Sequence, residues 1–146
     1  MANTENKKAR FNYEIIETLE AGIVLAGNEV KSIRAGKINL IDAFITIRDN
    51  EAWIHNFEIQ MFEKANSFRE STTRMRKLLL HKNEINRMVG KTKEKGLTLV
   101  PLKIYFKHQR VKLLIGLGKG KKTHDKRESI KERELQRELN RDFKYR

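Results

Sequence analysis

The chain of 146 residues contains no cysteine, one proline and one tryptophan. Without cysteine, disulfides, thiolate nucleophiles and zinc–thiolate centres are excluded. No apolar run approaches the roughly 18 residues that a bilayer span requires, and the first residues carry no apolar signal core. The expected location is therefore cytoplasmic, and no membrane partner is expected. The patterns of common catalytic sites are also missing. Of the four histidines, His55, His81, His108 and His124, no two stand at i,i+4. There is no HExxH, no paired-carboxylate spacing and no P-loop. The acid–histidine neighbours His124-Asp125 lie in a glycine-flanked basic run, which cannot hold a catalytic geometry to tolerance. No enzyme activity, metal or cofactor is expected.

What the chain does have is positive charge. Lys and Arg number 32 against 19 Asp and Glu, a formal net charge of +13 and a pI near 10.1. Such an excess points first to nucleic acid and second to an anionic membrane surface. Both the body and the carboxyl-terminal stretch are basic, but the stretch concentrates its charge in a short length.

Periodicity supplies the coarse organisation. Residues 1–9 are polar and expected to be disordered. Phe11 to Leu25 alternates as a strand with a bend at Gly22. Gly27 to Arg34 reads as a short helix that Gly36 ends. Ile41–Arg48 and Glu51–Phe57 form a hairpin about Asp49-Asn50. Trp53, His55 and Phe57 share a face; they are either base-stacking platforms or the closure of a small barrel, and the structural role is favoured. Gln60 to Lys77 has no period and reads as a mobile loop. Lys82–Lys95 is a helix with an Ile85, Met88 and Val89 stripe. Leu97–Lys107 is the strongest strand, slipping in phase at Pro101, and Val111–Leu117 pairs back on it. The fold class expected is mainly β (β+α): a small closed antiparallel barrel of the oligonucleotide-binding type with short inserted helices. The alternative is an open α+β sandwich. Residues 1–118 form the body and 119–146 a basic tail.

The run from Gly116 to Arg127 is read as the start of that tail. Glycines at 116, 118 and 120 alternate with Leu117 and lysines, so backbone and ammonium groups could approach a phosphate closely; a solvated linker is the other reading. Beyond it, Leu135, Leu139 and Phe143 form a thin apolar row. Arg133, Arg137 and Arg141 form a basic row, and Glu134, Glu138 and Asp142 an acidic one. About 20 residues is marginal for an isolated helix, and the arginine row repels itself. The tail is expected to be flexible when free and helical when lodged on RNA.

Several strings resemble the SsrA-binding protein (small protein B) family. They are Asn6–Arg10, Leu19-Glu20-Ala21-Gly22, Glu29–Lys37, Lys77–His81 and Gly118–Arg127, in the family's order. The resemblance implies an oligonucleotide-binding-type barrel that binds transfer-messenger RNA (SsrA) at its tRNA-like domain and works in trans-translation. It implies delivery to stalled ribosomes with elongation factor Tu-GTP, and a tail that probes the empty mRNA channel and decoding centre. Carried over by position, Glu20, Leu79, His81, Lys112, Lys119, Lys121 and Lys122 are RNA-binding, and the string from Glu29 adds Lys31, Ser32 and Arg34. His81 stands where some members have Asn, and Phe11 where some have His. The tail residues implied for the ribosome are His124, Asp125, Lys126 and Arg127, with Lys131, Arg133, Arg137 and Arg141. The protein is expected to be a monomer. The competing readings are a generic ribosomal or translation-factor RNA-binding protein, an RNA-processing enzyme and, least favoured, an anionic-membrane binder whose apolar row is too thin to insert.

Overall fold

The computed structural model describes residues 4–62, 68–94, 96–121, 134–135 and 137. In chain order the elements are β1 (Thr4–Glu5), α1 (Lys7–Asn12), β2 (Tyr13–Ile23), α2 (Gly27–Arg34), β3 (Ile38–Asn39), β4 (Phe44–Arg48), β5 (Glu51–His55), β6 (Glu58–Phe62), β7 (Phe68–Thr72), β8 (Arg76–Leu79), α3 (Lys82–Thr92), β9 (Leu97–Lys107) and β10 (Arg110–Gly120). The architecture is mainly β, as the alternation predicts. Seven strands form an antiparallel sheet in the order β1-β9-β10-β2-β8-β5-β4, and β3-β6-β7 form a second, smaller sheet. Strand β4 comes close to β9, but among the described residues its backbone ladder is with β5.

Side-chain alternation places the core. On β10, Val111, Leu113, Ile115 and Leu117 are buried, and they meet Ala21, Ile54, Leu78 and Ile104 inside the curve of the sheet. Helix α3 adds Met88 to this cluster, and α2 adds Ile33. A second, smaller cluster lies elsewhere: Ala9 of α1 covers Val100 and Leu102, with Tyr13, Ile15 and Leu114 at its margin. The bulge that Pro101 predicts is present, because Leu114 pairs with Lys103 but Ile115 with Pro101. Leu102 is the extra residue, and it joins the second cluster rather than Ile104 and Phe106, with which strict alternation groups it.

The hairpin turns differ in legibility. Asp49 and Asn50 both have positive φ, 53° and 61°, as expected for a two-residue loop whose twist matches its strands. His108 and Gln109 adopt the same conformation at 52° and 64°. Their sequence does not advertise it; two eleven-residue strands paired along their length impose it.

Four expectations are corrected. Residues 4–9 are ordered: Asn6 is buried, its side-chain Oδ1 accepts from the Ala9 N–H at 3.2 Å, and its Nδ2 donates to the carbonyls of Leu40 and Pro101 at 3.2 and 3.0 Å. One polar side chain thus caps α1 and ties it to two distant segments. The stretch 60–77, read as a loop, supplies the end of β6, all of β7 and the start of β8. Phe57 is buried although Trp53 and His55 stay half-exposed, because Asn56 at φ 55° reverses the alternation. The strand β10 does not stop at Leu117 but runs to Gly120. Gly116 is there for packing: a Cβ would lie 2.7 Å from Leu102 Cδ1. Gly118 is likewise buried beneath Tyr13, and neither is a linker residue.

Candidate nucleic-acid interface

The face of the sheet opposite the main core carries the candidate site. Lys112 of β10 stands opposite Tyr105 of β9 on one side and Gly22 of β2 on the other. Gly22 in turn stands opposite Leu79 of β8. Residues directly opposite in antiparallel strands share a face, so Tyr105, Lys112, Gly22 and Leu79 form one row across four strands. Lys103 and Lys107 flank Tyr105 on the same side of β9, and Glu20 flanks Gly22 on β2. Leu79 is 53% exposed although its neighbour Leu78 is buried. Gly22 keeps the surface flat beside it, since a Cβ there would come within 3.2 Å of Leu79 Cβ. At this end of the row Gly22, Val30, Leu79, Arg110 and Lys112 line a cleft of about 260 Å³.

Glu20 is engaged within the row. The Tyr105 hydroxyl donates to Glu20 Oε2, and Lys107 Nζ lies 3.5 Å from Oε1. The Tyr105 hydrogen bond, then the nearby lysines, hold the Glu20 carboxyl below its ordinary range against the opposing effect of burial. Burial, with the carboxylate beside it, pushes the Tyr105 hydroxyl up. Lys103 Nζ sits 5.6 Å from the centre of the Tyr105 ring. The acid is thus ionised, partly shielded and still has unused lone pairs for a base or ribose donor.

Helix α2 borders the cleft through Val30. Its Lys31 and Arg34 are exposed, and the Arg34 guanidinium lies 5.4 Å from the Phe106 ring centre. Ser32 is turned inward: it is fully buried and its hydroxyl donates to the Asn28 carbonyl at 3.2 Å. What fixes α2 is Glu29. Its carboxylate accepts the Ala26 N–H at 2.8 Å, the buried Arg76 Nε at 2.8 Å, and Arg74. Arg76 also donates to the Phe57 carbonyl and to Thr72 Oγ1, and lies 5.4 Å from the Phe57 ring centre. These bonds lock α2 to β8 and to the β5–β6 corner.

The SmpB protein family model matches residues 3–145. The chain belongs to the SmpB family. It is 56% identical over 144 residues to the SsrA-binding protein of Thermosynechococcus vestitus, covering 98% of this chain and 95% of that protein. It is 54% identical to the SsrA-binding protein of a Geobacillus species, covering 97% and 92%. A chain in a solved structure described as "tmRNA-SmpB: a journey to the center of the bacterial ribosome" superposes with a TM-score of 0.69 at 49% identity, covering 84% of this chain and 87% of that one.

Of the residues to which the SmpB resemblance assigns RNA contacts, the structure gathers Glu20, Leu79 and Lys112 on one face, with Lys31 and Arg34 on the helix beside it. His81 is exposed two residues beyond Leu79, where its N–H donates to Glu84 Oε1 at 2.9 Å at the start of α3. Lys119 and Lys121 are elsewhere. They lie seven and nine residues along the chain from Lys112, about 23 Å or more at strand rise, and the Lys121 N–H donates to the Asn12 carbonyl at 2.9 Å. Lys122, His124, Asp125, Lys126, Arg127, Lys131, Arg133 and Arg141 lie outside the described residues; Arg137 is described and exposed. The motif strings do not single out Tyr105, Lys103 and Lys107, which the structure adds to this face; the strand alternation carries the signal, because assigning Ile104 and Phe106 to the core puts 103, 105 and 107 on the opposite face.

Proposed function

We propose that this chain is the RNA-binding protein of trans-translation: it grips the tRNA-like domain of transfer-messenger RNA and brings it to stalled ribosomes. The observation that carries this reading is the Tyr105–Lys112–Gly22–Leu79 row with Glu20 set into it. It joins cations for phosphates, an exposed apolar side chain for a sugar or base, and an ionised acceptor for a base or ribose donor. That is equipment for recognising RNA shape with few base contacts. The relatives named SsrA-binding proteins and the tmRNA-SmpB structural neighbour support it. Delivery involves elongation factor Tu-GTP through the RNA complex, and the protein acts as a cytoplasmic monomer without catalysis of its own. The basic tail, with His124, Asp125, Lys126 and Arg127 leading it, enters the mRNA channel. Lys119 at the far end of β10 and Lys121 just beyond it serve the tail's side of the molecule rather than the Glu20 face. The approach of β4 to β9 beside α3 supports closure of the sheet into an oligonucleotide-binding-type barrel.

The test is binding of the isolated tRNA-like domain across a salt series. Lys112→Ala should weaken binding and reduce the log–log salt slope by about 1. Unchanged affinity and slope would remove this face from the interface.

A further inference from the structure

The outer face does not end at Leu79. On β8 it continues through Lys77, which stands opposite Trp53 of β5. Trp53 stands opposite Thr46 of β4, and His55 opposite Phe44. The rings of Phe44 and His55 are stacked, with centroids 4.7 Å apart and planes 6° from parallel. His55 Nε2 and Thr46 Oγ1 share a hydrogen bond of 2.7 Å, which sets the imidazole plane. Even so, Phe44 is 46% exposed, and so is 49% of Met75, which shares a cleft with Thr46, Trp53 and His55. The core is not built from these rings: on the same two strands Ile45, Ala52 and Ile54 are the buried residues.

A pre-stacked aromatic pair with one open face loses little conformational freedom when a further flat ring is added. The charges around it nearly cancel. Arg48, Asp49 and Glu51 line the cleft, and Lys77 Nζ lies 3.2 Å from Glu51 Oε1. Arg74 is held by Glu29. Affinity here would come from stacking far more than from counterion release, which separates this surface physically from the lysine-rich row.

We propose that the outer face of β4 and β5 is a second RNA site, which takes unpaired nucleobases by stacking on Phe44 and in the neighbouring cleft that Trp53 shares with His55, with Arg48 at the phosphate. The choice of RNA over an apolar protein partner rests on the unbroken backbone pairing that joins this surface to the row assigned above to RNA, and so on that reading. Duplex RNA cannot use it, because its bases are already stacked on one another.

Trp53 lines that cleft together with His55, the stacking partner of Phe44, so the fluorescence of the single tryptophan reports a ring bound at this face. The full chain is titrated with a single-stranded oligoadenylate and, separately, with the same strand annealed to its complement. Quenching by the single strand with shallow salt dependence, and none by the duplex, is the expected result. Phe44→Ala should weaken this binding about 5- to 100-fold at unchanged melting temperature, and Phe44→Tyr should restore it. Equal quenching by duplex, unchanged affinity of Phe44→Ala, or quenching that follows protein concentration alone would each overturn the proposal. Lys112→Ala separates the two readings: it should weaken binding of the tRNA-like domain while Trp53 quenching by oligoadenylate is unchanged.

Discussion

At the scale of single residues, Glu29 shapes the interface from inside the fold rather than from its surface. Glu29 is buried together with Arg76, and the pair is fully hydrogen-bonded. A buried ion pair need not add stability over apolar residues of the same volume, but removing one partner strands the other charge. Glu29→Ala should therefore destabilise the protein by about 3–5 kcal/mol in denaturant unfolding, a large part of a small domain's stability. Burial alone would raise the Glu29 carboxyl, but the Ala26 N–H and the two guanidiniums outweigh it and hold it below its ordinary 4.5. A depressed folded value has a definite sign. The contribution is complete above about pH 4.5 and is lost as pH falls through the lower folded value, where protonation leaves Arg76 without its counter-charge. Acid unfolding followed by circular dichroism should show that limb in the native protein and lose it in Glu29→Ala. A parallel limb in the variant would assign the acid sensitivity to other carboxylates.

At the scale of elements, β10 decides how the glycine-lysine run is understood. Read as sequence, Gly116, Gly118 and Gly120 look alike, and a flexible or phosphate-cradling segment is a fair inference. In the fold they are unequal. A Cβ on Gly116 meets Leu102 and Ile15, one on Gly118 lies 3.0 Å from Tyr13 Cβ, and one on Gly120 meets nothing within 4 Å. The first two leave room for the small cluster beneath α1. Overpacking such a site typically costs about 1–3 kcal/mol. Gly116→Ala should lower the unfolding free energy by that amount, whereas Gly120→Ala should leave it within about 0.5 kcal/mol. Equal, negligible effects of both would return the run to the linker reading. The same contrast explains the stretch 60–77. Its polar sequence has no period, yet it forms strands, because Arg74 and Arg76 are drawn to Glu29 and the β6–β7 pairing satisfies the backbone.

At the scale of the whole molecule, the proposed work is divided between the outer face of the sheet and the basic tail. Removing residues 128–146 should leave affinity for the tRNA-like domain unchanged and abolish tagging of stalled nascent chains in a reconstituted translation assay. A fall in affinity in proportion to the charge removed would instead favour a generic RNA-binding protein. Much of the fold is legible in the sequence itself. Charge excess, the missing catalytic patterns, the alternation of β2, β5, β9 and β10, the two glycine-ended helices and the slip at Pro101 are local or compositional, and local chemistry decides them. Which strands are neighbours is not local. The row of Tyr105, Lys112, Gly22 and Leu79 draws on four segments, and its register exists only once β9, β10, β2 and β8 are paired. The inward turn of Ser32, the burial of Arg76 against Glu29 and the packing role of Gly116 follow from contacts between residues far apart in the chain. Sequence alone determined which side chains were available and on which parity; the tertiary structure decided which of them meet, because register and burial are set by distant partners that no local window contains.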